Sequence, residues 1–277
     1  MSLRDRLPDS ALRAARRVKH GRNVETLREL KSETKALRKE NKRLKSATDK
    51  SNSRWEDVDA ETLEIVAAVK PYTMTGKDKL IALITAVRHI ARTGLEGDLV
   101  ECGVWRGGSM HAVARTLLAE GISDRELHLF DTYSGMTEPT EKDLRTDGRS
   151  AAEMLAASEK TKWVWAVASR EDVEEGLKTL DYPYERFHLV EGPVEETIPE
   201  HAPERIALLR LDTDWYESTK HELDHLYDRL VPGGVLIIDD YGSWQGSKEA
   251  TDEFLAALSD PPLMHRAGRS RIGVKPL

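Results

Sequence analysis

The chain has 277 residues, 39% hydrophobic and 33% charged, with a formal net charge of −7, which suits one large domain with an appendage or two small ones. No apolar stretch approaches the roughly 20 residues that span a bilayer, and the N-terminus lacks the apolar centre of a secretory signal, so a cytoplasmic protein is expected. The single cysteine, Cys102, excludes an intrachain disulfide framework and a cysteine zinc site.

Charge divides the chain. Residues 1–50 carry 16 Lys+Arg against 7 Asp+Glu, whereas residues 51–277 carry 26 against 42. The acidic body argues against nucleic acid as a general ligand, and the basic arm suits anionic surfaces or partners. Within the arm, Leu27, Thr34 and Asn41 fall at one heptad core position and Leu30, Leu37 and Leu44 at the other. This spacing predicts a short coiled coil, with Asn41 favouring a parallel dimer; a lone amphipathic helix is the alternative. Arg13, Arg16, Arg17, Lys19 and Arg22 precede the heptads, but Gly21 interrupts that helix and no base-reading constellation follows. The expected organisation is a basic helical arm over 1–54 and a compact domain over 55–277.

From residue 61 the periodicity predicts helices over 61–69 and 78–92. Strands and helices then alternate: strands at 98–102, 126–130, 187–190, 206–211 and 235–238, and helices at 109–120, 170–180, 218–230 and 246–258. Short apolar strands alternating with helices imply an α/β fold around a largely parallel sheet. Residues 139–162 read as an insertion near the ligand-binding face.

The first strand runs into a glycine-rich turn with Gly103, Gly107, Gly108 and Ser109. The glycines let backbone approach a ligand, and Ser109 suits a helix cap or an anion contact. The turn departs from both the dinucleotide and the phosphate-loop patterns. Glu101, just before it, would repel a pyrophosphate but attract an amino group, which favours an amino-acid-bearing cofactor. Asp131 ends the next strand, where an acidic side chain accepts hydrogen bonds from ribose hydroxyls; capping of a turn is the plainer alternative. Together these residues describe an adenosine-and-methionine pocket.

Three more carboxylates stand at strand ends: Asp212 after 206–211, and Asp239 and Asp240 after 235–238. Ligands of open parallel sheets bind outside these ends. Three close carboxylates repel one another unless a cation lies among them, and hard oxygen ligands suit Mg2+. The alternative is that Asp212 and Asp239 merely cap the helices that follow. Trp163, Trp165 and Trp244 are candidates for stacking on a sugar or for ordinary packing. His111, His188 and His201 lack metal-ligand spacing, and His221 and His225 form an i, i+4 pair without a completing acid.

Residues 71–76 (PYTMTG), 100–110 (VECGVWRGGSM), 129–136 (LFDTYSGM), 190–199 (VEGPVEETIP), 207–219 (ALLRLDTDWYEST) and 232–250 (PGGVLIIDDYGSWQGSKEA) resemble the macrocin O-methyltransferase family, which includes the noviose methyltransferase of aminocoumarin biosynthesis. The resemblance runs from about residue 72 to the C-terminal GVKPL and leaves out the arm. It implies a class I S-adenosylmethionine-dependent methyltransferase fold with a mostly parallel seven-stranded sheet, S-adenosylmethionine and Mg2+ as cofactors, and a sugar hydroxyl as acceptor, on a polysaccharide, glycolipid or glycosylated natural product. It assigns Asp212, Asp239 and Asp240 to the metal and Asp214 to the general base. Glu101, Gly103 and Ser109 would hold the methionine end, Asp131 the ribose, Val194 and Glu195 the adenine side, and Thr73 and Thr75 the segment over the cofactor. The 101–109 turn is more distantly similar to that of catechol O-methyltransferase, which has a lysine shortly after its first metal-binding Asp. This chain has Asp214, Trp215 and Tyr216 there, so a carboxylate base is implied. Other readings are a phenolic acceptor and a noncatalytic scaffold oligomerised by the arm. The arm also suggests a homo-oligomer held near a membrane or an enzyme complex.

Overall fold

The computed structural model describes residues 55–277 except Thr161, and Ala60 to Leu277 form one compact unit. The heptad segment and the basic arm lie outside the described residues. No described helix is long and apolar enough to cross a membrane.

Seven strands form one sheet: β1 (Asp98–Cys102), β2 (Leu127–Asp131), β3 (Phe187–Glu191), β4 (Ile206–Leu211), β5 (Leu230–Ile238), β6 (His265–Ala267) and β7 (Ser270–Val274), in the order β3-β2-β1-β4-β5-β7-β6. The first five run parallel, while β7 is antiparallel to β5 and to β6. This is the mostly parallel seven-stranded sheet that the family resemblance implies; the alternation of strands and helices along the chain by itself predicts the five parallel strands.

Every residue of β4 is buried, as a central strand covered on both faces requires. Side chains alternate between two cores. Leu99, Leu208 and Ile237 point to a core shared with α1 (Ala60–Val69), α2 (Lys77–Thr93), α3 (Gly108–Ala119) and a later helix, α5 (Arg170–Leu177). Val100, Leu209 and Leu236 point to the opposite core with α7 (Tyr216–Leu226) and α8 (Gln245–Ala257). The same alternation sends Glu101 and Arg210, paired in register across β1 and β4, to the side of α2. Two short helices, α4 (Ala151–Ala156) in the insertion and α6 (Val194–Thr197) after β3, complete the described α-helices.

The expected elements are present with shifted ends. β5 begins five residues earlier than its apolar run, because Pro232, Gly233 and Gly234 form an irregularity: partners jump from Ile206–Leu230 to Leu208–Val235. The β6–β7 hairpin has no apolar alternation to announce it, since His265, Arg266, Arg269 and Arg271 dominate its sequence. Such charged composition is characteristic of an edge. The helix expected over 218–230 ends at Leu226 and finishes as a 3-10 turn, Tyr227–Arg229.

His111 is fully buried on α3, stacked on Tyr72 at 4.3 Å, with neither ring nitrogen hydrogen-bonded. Burial, aided by Arg115, lowers its pKa from 6.5 to about 4. A group whose folded pKa is depressed in this way favours the folded state fully above pH 6.5 and progressively less as the pH falls towards 4. Thermal unfolding over that window should show a loss of about 3 kcal/mol, at roughly 1.4 kcal/mol per pKa unit, that His111→Gln removes. Equal pH slopes for the two proteins would refute this assignment.

Candidate active site

The carboxyl ends of β1, β2, β4 and β5 open into one cavity of about 360 Å³, a size typical of cofactor pockets. Main-chain bonds extend the sheet past its strands: Gly103 N–H donates to Phe130 O (2.8 Å), Asp212 N–H to Cys102 O (2.8 Å) and Asp239 N–H to Leu211 O (2.9 Å). The residues that leave the strand ends therefore start from a common, rigid platform.

Carboxylate oxygens of Asp212, Asp239 and Asp240 come within 4.8 Å of one another. Neither Asp212 nor Asp239 caps a helix, since Trp215 and Trp244 occupy the capping positions of α7 and α8. The carboxylates are not, however, unpaired as their spacing suggested. Arg210, fully buried, bonds Asp212 at 2.8 Å and Asp239 at 2.7 Å and also pairs with Glu101. Lys79, reaching over from α2, pairs with the Asp239 carboxylate and donates to its carbonyl oxygen at 3.0 Å. Five acidic groups, counting Asp214, thus face two cations.

The titration behaviour follows from that imbalance. Burial raises the Asp239 carboxyl, but Arg210 and Lys79 outweigh it and hold the group at about 2. Burial, with the charges of Asp214 and Asp239, pushes Asp240 well up. Asp212 is pushed up as well, by burial and by Asp239 and Asp240 against the pull of Arg210. Asp240 Oδ2 is buried without a hydrogen-bond partner. A divalent cation fits this donor set: it would relieve the excess charge and satisfy the orphaned oxygen.

Asp214 lines the same cavity with φ = 68°, a left-handed conformation that Asp tolerates better than most residues. Burial, and then the Asp212 charge, raises its pKa to about 7.

On the other side, Gly103 (φ = 82°) packs so tightly that a Cβ would collide with the Asp212 carbonyl oxygen, so only glycine serves there. Asp131 lines the cavity while Oδ2 accepts from Val104 N–H (2.6 Å) and Trp105 N–H (3.0 Å), and Oδ1 from Tyr133 N–H (2.8 Å). It therefore does knit turns, and Oδ1, with a single such bond, keeps acceptor capacity for a ligand. Val194 and Glu195 also line the cavity, Glu195 accepting from Ser218 Oγ at 2.7 Å.

Three expected cofactor residues stand back from the cavity lining. Glu101 lies beneath it, with burial raising its pKa to about 7 against the pull of Arg210; its Oε2 has no hydrogen-bond partner, which suits an incoming ammonium group. Ser109 lies beside Glu101 inside α3, whose cap is Gly107. Ser109 thus caps no helix. Thr73 packs against Gly108, where any Cβ would strike it, and its hydroxyl accepts from Thr75 N–H at 2.9 Å. Thr75 is the member of the pair that lines the cavity, and its hydroxyl accepts from Arg210 at 3.2 Å.

The insertion folds back over the site. Its anchor is Asp143, fully buried, which accepts from Thr140 N–H and Tyr216 N–H, both at 2.7 Å. Trp215 Nε1 donates to Thr137 O at 3.1 Å and the ring meets Trp244 edge-on at 5.0 Å. Trp244 is thus core packing with one side on the cavity. Trp165 is held by a bond to Ser158 O, and the side chain of Trp163 lies outside the described ones. His188 pairs with Glu126, and His221 and His225 bond to carbonyl oxygens, all structural contacts.

Sequence reasoning missed Arg210, Lys79 and Asp143. A lone arginine inside an otherwise apolar strand was the available signal, because a buried charge requires partners. Nothing in the sequence marks Lys79, whose reach depends on where α2 packs.

The family model described as Macrocin-O-methyltransferase (TylF) matches residues 7–262. The demethyldecarbamoylnovobiocin O-methyltransferase of Streptomyces niveus is 32% identical over 185 residues, covering 67% of this chain and 68% of that protein. The 8-demethyl-8-(2,3-dimethoxy-alpha-L-rhamnosyl)-tetracenomycin-C 4'-O-methyltransferase of Streptomyces olivaceus is 33% identical over 192 residues, covering 69% and 70%. Among solved structures, the O-methyltransferase NovP superposes with a TM-score of 0.65 at 29% identity, covering 74% of this chain and 83% of that one.

Proposed function

The chain belongs to the macrocin O-methyltransferase family, and from that premise we propose that it methylates a sugar hydroxyl of a glycosylated natural product, polysaccharide or glycolipid, using S-adenosylmethionine and Mg2+. The observation that carries this reading is the convergence of Asp212, Asp239 and Asp240 beside Asp214 in a cavity whose other side holds Asp131 and Glu195. A sugar acceptor is supported by the names of the relatives, one of which specifies a rhamnosyl group.

In this reading the sugar oxygen attacks the sulfonium methyl: a C–O bond forms, the S–CH3 bond breaks, S-adenosylhomocysteine leaves, and the hydroxyl proton passes to an Asp214 oxygen. When bound by Asp212, Asp239 and Asp240, Mg2+ supplies Lewis acidity to an alcohol otherwise too weak an acid for a carboxylate base. Asp131 accepts from the ribose hydroxyls, Glu101 Oε2 meets the amino group of the methionine end, and Val194 and Glu195 border the adenine. Gly103 and Thr75 bring backbone and hydroxyl against the cofactor, while the insertion excludes water and holds the acceptor in line. The 27–44 heptads support a homo-oligomer built through the 1–54 arm.

Labelled S-adenosylmethionine, offered with parallel sugar and catechol acceptors, tests the reading. Label is expected on the sugar set, with at least a tenfold drop in chelator and recovery on adding Mg2+. Label on catechol alone, or full activity in chelator, would overturn the acceptor or the metal respectively.

A further inference from the structure

Two arginines of the cavity wall take no part in the chemistry above. Arg145 comes from the insertion and Arg269 from the β6–β7 turn, and both line the cavity together with Asp239, Asp240 and Ser243. Main-chain bonds fix both to the loop that follows β5. Arg145 bridges to Trp244, with Thr146 N–H donating to Ser243 O (3.0 Å) and Gln245 N–H to Leu144 O (2.7 Å). Gly242 N–H donates to Arg269 O at 2.8 Å. The loop after Asp240 is therefore bonded to both arginine-bearing segments, through Gly242 to Arg269 and through Ser243, Trp244 and Gln245 to the residues around Arg145.

Arg145 shares its one acidic partner among the described residues, Asp147, with Arg149: its own ion pair is long (3.6 Å), and Arg149 already holds Asp147 at 2.8 Å. Arg269 is exposed and makes no ion pair among the described residues. Around it, residues 264–271 contain His265, Arg266, Arg269 and Arg271 and no acid, although residues 51–277 carry 26 basic against 42 acidic side chains. The same cavity is also lined by Asp131, Glu195, Asp212, Asp214, Asp239 and Asp240, so the attraction for an anion is local to the side that carries the two arginines. A neutral glycoside makes no use of it.

Resting on the sugar-methyltransferase reading, we propose that the acceptor sugar carries a phosphoryl group, as a sugar phosphate or a nucleoside-diphosphate sugar, and that Arg145 and Arg269, from two separate elements bonded to this loop, clamp it. Planar guanidinium groups pair with phosphate oxygens in bidentate fashion. Two of them approaching from separate elements suit a group with several oxygens. Clamping there leaves the sugar ring to extend towards Asp214 and the three strand-end carboxylates.

The test is calorimetric binding to the full-length protein loaded with S-adenosylhomocysteine, without divalent cation, using α-D-glucose 1-phosphate, dTDP-glucose and neutral methyl α-D-glucoside as probes. At least one phosphorylated probe is expected to bind, and to bind about tenfold or more weakly to Arg145→Gln/Arg269→Gln, in line with the loss of charge-assisted bonds. S-adenosylhomocysteine affinity and unfolding temperature should not change; the exposed Arg269→Gln alone serves if the double variant folds poorly. Binding of glucose 1-phosphate identifies a sugar phosphate as sufficient, and binding of dTDP-glucose alone identifies the nucleotide sugar. Equal affinity of the double variant, or no binding of either phosphorylated probe, overturns the clamp. Methylation of the neutral glucoside by the wild type at the same kcat/KM as the phosphorylated acceptors would sink the clamp while leaving sugar methylation standing. Loss of transfer to every acceptor would instead count against the underlying reading.

Discussion

Asp214→Asn is expected to slow methyl transfer by about a hundredfold to ten-thousandfold, the usual contribution of a positioned general base, while leaving S-adenosylmethionine affinity within a small factor of wild type. Asparagine is the informative replacement because it keeps the size of the side chain and tolerates the left-handed φ of 68°. What it removes is the proton acceptor. Since only the ionised carboxylate works as a base, and its pKa stands near 7, the wild-type rate should rise with pH through the neutral range and level off above it. A cation bound beside Asp214 stabilises the ionised form and moves that limb to lower pH. The asparagine variant should lack the limb. Retention of more than a tenth of the wild-type rate, with the limb in place, would remove Asp214 from the chemistry.

The second large effect is on folding. Arg210→Leu strands the buried Glu101, takes from Asp212 its cationic partner and leaves Asp239 with Lys79 alone. Removing one partner from a buried ionic cluster costs about 3–5 kcal/mol, and at roughly 2–4 °C per kcal/mol for a domain of this size the melting temperature should fall by about 10 °C. A pH signature separates this from a simple packing defect. With the guanidinium gone, a proton is the remaining way to neutralise a stranded carboxylate, so the folded-state pKa values rise further and the variant should regain stability as the pH falls towards 5. A leucine variant that melts like the wild type, or whose deficit is independent of pH, would show that Arg210 does not hold the cluster together.

How much of this could be read from the chain depends on the range of the interactions involved. Strands β1 and β4 match their expected spans residue for residue, and β4 does so because a strand buried on both faces records its limits in composition. The placement of Asp212, Asp239 and Asp240 was equally accessible, since a side chain following a parallel strand must emerge at the ligand-binding face. The first half of β5 was hidden because Pro232, Gly233 and Gly234 signal a break where the structure makes a bulge. The hairpin was hidden because an edge strand with arginines carries no apolar pattern. Pairings across the core, such as Lys79 with Asp239 and Asp143 with the start of α7, bring together residues 160 and 73 positions apart, and no local pattern encodes them. Glu101 is expected from its position to accept an ammonium group, but its commitment to Arg210 is evident only from register.

The collision that any side chain at position 103 would make with the Asp212 carbonyl has a practical consequence for redesign. The glycine turn and the first of the three clustered aspartates are in effect one part, and neither can be re-sculpted while the other stays put. Attempts to broaden which acceptors are accepted should therefore work on the anchored insertion and the terminal hairpin, where variation can accumulate without disturbing that junction.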